Sequence, residues 1–155
     1  MKSFLNTVNP GNSVIADTGF WVAIGARNDQ FHDRAIRVAR SLTLDPVTTW
    51  PVVTETTYLL QRMQGTQAVD IFLQGLEQSG TEIFQLQTGH LGRIRQLMNK
   101  YTDLPMDLAD ASLVVLAEAL GHGRILSTDQ RDFHAYRWKN HHPFENLLLA
   151  DCIGH

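Results

Sequence analysis

From Leu113 to Leu120 every residue but Glu118 is apolar. In a chain of 155 residues such a run reads as a helix buried on nearly all sides and packed against a sheet. The stretch Pro105-Met106-Asp107-Leu108-Ala109-Asp110-Ala111-Ser112 opens that helix. Asp107 and Asp110 fall in its first turn, three residues apart and so on one face. Gly121 and Gly123 stop it. Arg124-Ile125-Leu126-Ser127-Thr128 then reads as a short buried strand, with Asp129 at its carboxyl end. Helix starts and strand ends are the places where an open α/β sheet gathers its functional residues.

The remaining sequence supplies the rest of such a sheet. Residues 13–16 are a short apolar run ending in Asp17-Thr18, the first expected strand. Residues 19–25 suit one or two helical turns. Residues 29–42 read as a helix with an apolar stripe and a basic one, the latter made of Arg34, Arg37 and Arg40. The β-branched residues 46–49 predict a second strand. A helix follows over 50–63, with Val52, Val53, Thr56, Leu59, Leu60 and Met63 inward and Glu55 in its second turn. Residues 66–76 give another amphipathic helix, and the alternation over 82–86 a third strand. Residues 89–101 read as a helix with Leu91, Ile94, Leu97 and Met98 inward. The segment 130–136 is a loop or short helix, 138–143 an exposed turn, and 144–150 an edge strand. Trp21 and Trp50 are expected in the core. Strands alternating with helices define an α/β fold, a mainly parallel four- to five-stranded sheet between two helical layers. The chain is long enough for one well-buried domain, expected over 13–150. Residues 1–12, with the turn cluster Asn9-Pro10-Gly11-Asn12, read as a flexible leader, and 151–155 as a tail.

Composition removes several classes of function. A net charge of −3 is not that of a protein that coats nucleic acid non-specifically, although a basic rim around an acidic centre gives the same total. Cys152 is the one cysteine, which excludes an internal disulfide and a Cys-based metal site and points to a reducing, cytoplasmic setting. No apolar run reaches membrane-spanning length. Neither a glycine-rich phosphate loop nor a local nucleophilic Ser or Cys arrangement stands out.

Asp17, Glu55, Asp110 and Asp129 all sit at expected element ends. If the first and fourth strands are neighbours, the four carboxylates converge. Two carboxylates about 5 Å apart repel by roughly 3 kcal/mol at an effective dielectric near 20. Such a cluster takes up protons or recruits a cation. Oxygen-only ligands favour Mg²⁺ or Mn²⁺ over Zn²⁺, and a carboxylate-held Mg²⁺ suits phosphoryl chemistry. Taken singly, each acid is more often a turn or solvated helix residue; their order and placement make the set informative.

Val14-Ile15-Ala16-Asp17-Thr18, Val53-Thr54-Glu55, Leu108-Ala109-Asp110-Ala111-Ser112 and Leu126-Ser127-Thr128-Asp129-Gln130-Arg131-Asp132-Phe133, in that order, resemble the PIN domain. Within it, the chain is most similar to the VapC-type toxins of bacterial toxin–antitoxin pairs. The resemblance spans residues 13 to 149. It implies a PIN-like α/β/α sandwich, a ribonuclease dependent on Mg²⁺ or Mn²⁺, a homodimer, an RNA substrate and a cognate antitoxin. It also implies that Asp17, Glu55, Asp110 and Asp129 form the acidic metal site, with Glu55 acting directly or through water. Thr18 and Thr128 match the small hydroxyl positions beside the acids.

Asp107 reads either as the helix cap or as a further metal ligand, and Asp132 as loop structure or support for the site. The seven histidines show no metal pair on one helix face, so none is assigned to catalysis. Trp138, between Arg137 and Lys139, suits a dimer or antitoxin interface better than base stacking. The Arg34, Arg37, Arg40 stripe is a candidate RNA path. Three other readings are weighed. A PIN nuclease of RNA maturation or repair would carry the same residues. A receiver or dehalogenase-type phosphatase lacks its second acid, since Gly19 stands where the phosphatase needs one. A catalytically dead binding module predicts loss of an acid, and all four are present.

Overall fold

The structure is a computed structural model, and it describes residues 7–150. The elements in chain order are β1 (Ser13–Ala16), α1 (Thr18–Gly25), α2 (His32–Ser41), β2 (Asp45–Thr49), α3 (Trp50–Gln64), α4 (Thr66–Ser79), β3 (Glu82–Phe84), α5 (Leu91–Lys100), α6 (Leu108–Leu120), β4 (Arg124–Leu126), α7 (Gln130–Ala135), β5 (Arg137–Trp138), β6 (His142–Pro143) and β7 (Glu145–Asn146). Short 3-10 turns at Pro10–Asn12 and Thr88–His90 precede β1 and α5.

Five strands pair in the order β3-β2-β1-β4-β7, all parallel. Helices cover both faces, as the sequence predicts. Every residue of β1 is buried, as a central strand covered on both faces requires. Pro46 is tolerated in β2 because of where it stands: it opposes Val14 of β1, but the pairing with β3 begins only at Val47, so its missing N–H costs no ladder bond on that side.

The apolar segment forms α6, which packs on β1, β2, α3 and α5. Asp107 is its N-cap, with Oδ1 accepting from the Asp110 N–H at 2.8 Å. Gly121 ends it in the left-handed conformation, φ 78°. Glu118, the one charge in the run, is no anomaly. It takes two hydrogen bonds from Arg93 of α5, at 3.0 and 2.7 Å, and one from the Lys139 N–H at 2.6 Å. A partly buried acid in an apolar helix is stabilised by such a charge-assisted set.

Several expectations are corrected. β3 stops at Phe84 and β4 at Leu126, each two residues early. The edge strand shrinks from 144–150 to Glu145–Asn146. The turn at 138–143 is an antiparallel hairpin of β5 and β6, turning through Lys139 and Asn140 at positive φ, the geometry of tight hairpin turns. Trp50 is not in the core: as the first residue of α3 it is 47% exposed. Met63, Leu91 and Met98 also face outward. Within the expected leader, residues 1–6 lie outside the described residues, but Val8 is buried in the core and Arg124 holds the Pro10 carbonyl at 2.8 Å. The expected tail, with Cys152, lies outside the described residues.

Candidate active site

The strand order fixes where a site can form. The chain runs from β1 outward to β2 and β3, then returns to the other side of β1 to lay down β4 and β7. Connections therefore leave β1 and β4 in opposite directions, which opens a crevice at their carboxyl ends. Asp17 is the first residue after β1, and its N–H still bonds the Leu126 carbonyl of β4 at 3.0 Å. The sheet ladder thus reaches into the site and pins its central acid.

Asp17 is buried. As N-cap of α1, its Oδ1 accepts from the Thr18 N–H at 2.7 Å, and its Oδ2 accepts from the Ser127 hydroxyl at 2.9 Å. The Thr18 hydroxyl donates to Glu55 Oε2 at 3.0 Å. Thr49, the N-cap of α3, has its hydroxyl 2.6 Å from that of Ser112 in α6. This buried contact ties together the starts of the two helices that carry Glu55 and Asp110. Asp110 Oδ2 accepts from the Tyr136 hydroxyl at 3.3 Å, and that ring sits fully buried against Tyr101 and Phe133. Asp129 is the N-cap of α7, accepting from the Asp132 N–H at 3.0 Å, and its own N–H donates to Ser127 Oγ at 2.9 Å.

The acids feel one another. Burial raises the Asp17 carboxyl to about 7, with Glu55 and Asp129 adding to the rise and the Ser127 and Thr18 hydrogen bonds opposing it. Asp110 is raised to about 8, first by burial and then by Asp107 and Asp17. Glu55 is raised by burial and by Asp107. Asp132 is raised to about 6 by burial and the neighbouring Asp129. A pocket that forces protons onto its carboxylates at neutral pH suits a hard divalent cation. The side chains as they stand do not close on one point: among the described residues no three acids or imidazoles are grouped as around an ion.

All four expected acids are therefore brought to one edge, and Thr18 contacts Glu55 as a residue beside the acids should. Asp107 occupies the capping position, close enough to raise both Glu55 and Asp110. Thr128 instead packs on α1, where a Cβ at Gly19 would overlap its hydroxyl. In this segment the hydroxyl that bonds an acid belongs to Ser127. Sequence reasoning missed this residue, yet Ser127 stands two positions before Asp129, and alternate residues of an extended chain share a side. Tyr136 was missed too; nothing in its local sequence signals a contact 26 residues away. In the basic stripe, Arg34 donates to the Leu148 carbonyl at 2.6 Å, so it serves the fold. Trp138 lies against His142 in the hairpin, ring centroids 4.4 Å apart.

The sequence matches the family model of the PIN domain over residues 14–139, and the chain belongs to the PIN-domain family. Its fold is similar to that of VapC20 of Mycobacterium tuberculosis, a sarcin–ricin loop cleaving toxin. The two share a TM-score of 0.71 at 20% sequence identity, over 77% of this chain and 92% of that one. A comparison with curated proteins finds no match. No helix among the described residues is long and apolar enough to cross a membrane.

Proposed function

We propose that this protein is a metal-dependent endoribonuclease, the toxin of a toxin–antitoxin pair. The observation that carries the reading is the carboxylate set at the β1–β4 crevice, with Asp17 and Asp110 raised to about 7 and 8, at the carboxyl edge of the sheet in a chain of the PIN-domain family. Asp17, Asp110 and Asp129 would hold Mg²⁺, or Mn²⁺ in its place, with Glu55 helping directly or through water. The bound ion would supply positive charge beside the scissile phosphodiester and make a water more acidic.

The chain's own residues do the rest. Asp17 and Ser127 fix the floor of the site, since both are buried and joined by a hydrogen bond. Glu55, half-exposed and held by Thr18, is the carboxylate placed to accept a proton from the attacking water. Tyr136 fixes the Asp110 carboxylate by its hydroxyl. The similarity to VapC20 supports an RNA substrate and an antitoxin partner. An antitoxin arginine entering the pocket would be drawn by the same negative charge. A homodimer in the cytoplasm completes the proposal.

The test is cleavage of total cellular RNA by purified protein in Mg²⁺ or Mn²⁺ against EDTA, with Asp110→Asn alongside. Discrete fragments that need metal and vanish with the variant are expected, activity falling at least 100-fold. Full metal-dependent cleavage by both Asp110→Asn and Asp17→Asn would sink the reading.

A further inference from the structure

Asn146 lies beyond the family match, which ends at residue 139, and its side chain bonds backbone groups of Ser127 and Leu148. Its carboxamide clasps the backbone of Ser127, bonding both its N–H and its carbonyl. The Nδ2 donates to the Ser127 carbonyl at 2.9 Å, and the Oδ1 accepts the Ser127 N–H at 3.3 Å. The same Oδ1 accepts the Leu148 N–H at 3.1 Å. Backbone pairing of β7 with β4 ends at Ile125 and Asn146, followed by one bond from the Leu147 N–H to the Ile125 carbonyl at 2.8 Å. One side chain thus replaces the next rung of the sheet where β4 needs it.

What it holds is the pivot of the site. Ser127 is fully buried, and its hydroxyl both donates to Asp17 Oδ2 and accepts the Asp129 N–H, each at 2.9 Å. The spacing of these two acids follows from where the Ser127 peptide stands. We infer that Asn146 is a positioning residue, setting the geometry of Asp17 and Asp129 through Ser127. The inference rests on the metal-site reading above. Partners in the shell outside a metal's ligands typically change its affinity 10–100-fold.

Asn146→Ser separates this role from a merely structural one. A serine hydroxyl can still serve the Leu148 N–H across a local turn but is too short to span the Ser127 peptide. Mn²⁺ affinity is measured by the resonance signal of the free ion for wild type, Asn146→Ser, Ser127→Ala and the double variant, alongside RNA cleavage. Each single variant should weaken Mn²⁺ binding about tenfold, and the double variant no more than either one, as expected of residues acting in series. The kcat should fall with KM for RNA unchanged. Unchanged Mn²⁺ affinity in Asn146→Ser, or additive losses in the double variant, would overturn the inference while leaving the nuclease reading intact. Wild-type protein that neither binds Mn²⁺ nor cuts RNA overturns both. Independently of any variant, the Ser127 amide should exchange slowly with solvent in metal-free wild type, and rapid exchange there also refutes the clasp.

Discussion

Between pH 4 and 8 the buried carboxyls at the site hold protons that the unfolded chain has already lost. Asp17 is raised to about 7 and Asp110 to about 8, each from an ordinary 3.8. At these carboxyls the native state then binds more protons than the unfolded state, so their contribution to stability falls as pH rises through this window. His122 works in the opposite direction. Burial and Arg124 lower it from 6.5 to about 4, so its contribution rises with pH between those values. Above 6.5 only the acids remain. The metal-free protein should therefore lose stability from pH 6.5 to 8, measured by urea denaturation in EDTA. Asp17→Asn should recover on the order of 2 kcal/mol at pH 8 while abolishing cleavage. No gain in the variant would show that the Asp17 charge is not a native-state cost. At this same scale, the placement of the four acids at one edge was legible because ionisable side chains at element ends are conspicuous. Ser127 was passed over for Thr128 because a shift of one residue along an extended segment exchanges its two faces, and the sequence does not state the face. Trp50 misled for the opposite reason: an apolar ring is a poor guide to direction at a helix's first residue.

Elements succeed or fail by how much of their identity is local. α6 was legible because its apolar run, its Asp107 cap and its Gly121 stop all agree. The ends of β3, β4 and β7 were not, because a strand ends where its neighbour does, and register is a property of pairs. Two element contacts can be tested directly. At Gly19 an added Cβ would overlap the Thr128 hydroxyl, so Gly19→Ala should cost about 1–3 kcal/mol. Thr128→Ala in the same chain should restore part of that loss in a denaturation series; a double variant no more stable than Gly19→Ala would refute the contact. Glu118 joins α6 to α5 and to the β5–β6 hairpin through Arg93 and the Lys139 N–H. Glu118→Ala should cost about 2 kcal/mol, because it removes the carboxylate partner of the Arg93 guanidinium, which keeps its bond to Gln96, and takes the acceptor from the Lys139 N–H. Glu118→Gln should cost less, as it keeps an acceptor.

For the molecule as a whole, the parallel alternation of strands and helices was visible in the sequence, but the strand order was not. Nothing local says that β4 returns to the far side of β1, and only that return unites Asp17 with Asp129. Stability should be graded around the same centre. Amides of β1, β4 and α6 should exchange most slowly, and those of the β5–β6 hairpin, a two-rung ladder outside the main sheet, most quickly. Saturating Mg²⁺ should raise the melting temperature and flatten the pH dependence above 6.5, since a ligand of the native state stabilises by mass action. An unchanged melting curve would speak against metal at this site.

The strand order also has a consequence in time. A ribosome makes β1 before β4, so Asp17 waits through more than a hundred intervening residues for β4. The crevice does not exist on a nascent chain until residue 129 has emerged, and Asn146 joins it later still. A site assembled in this order stays incomplete until β7, made after every acid at the crevice, has joined the sheet.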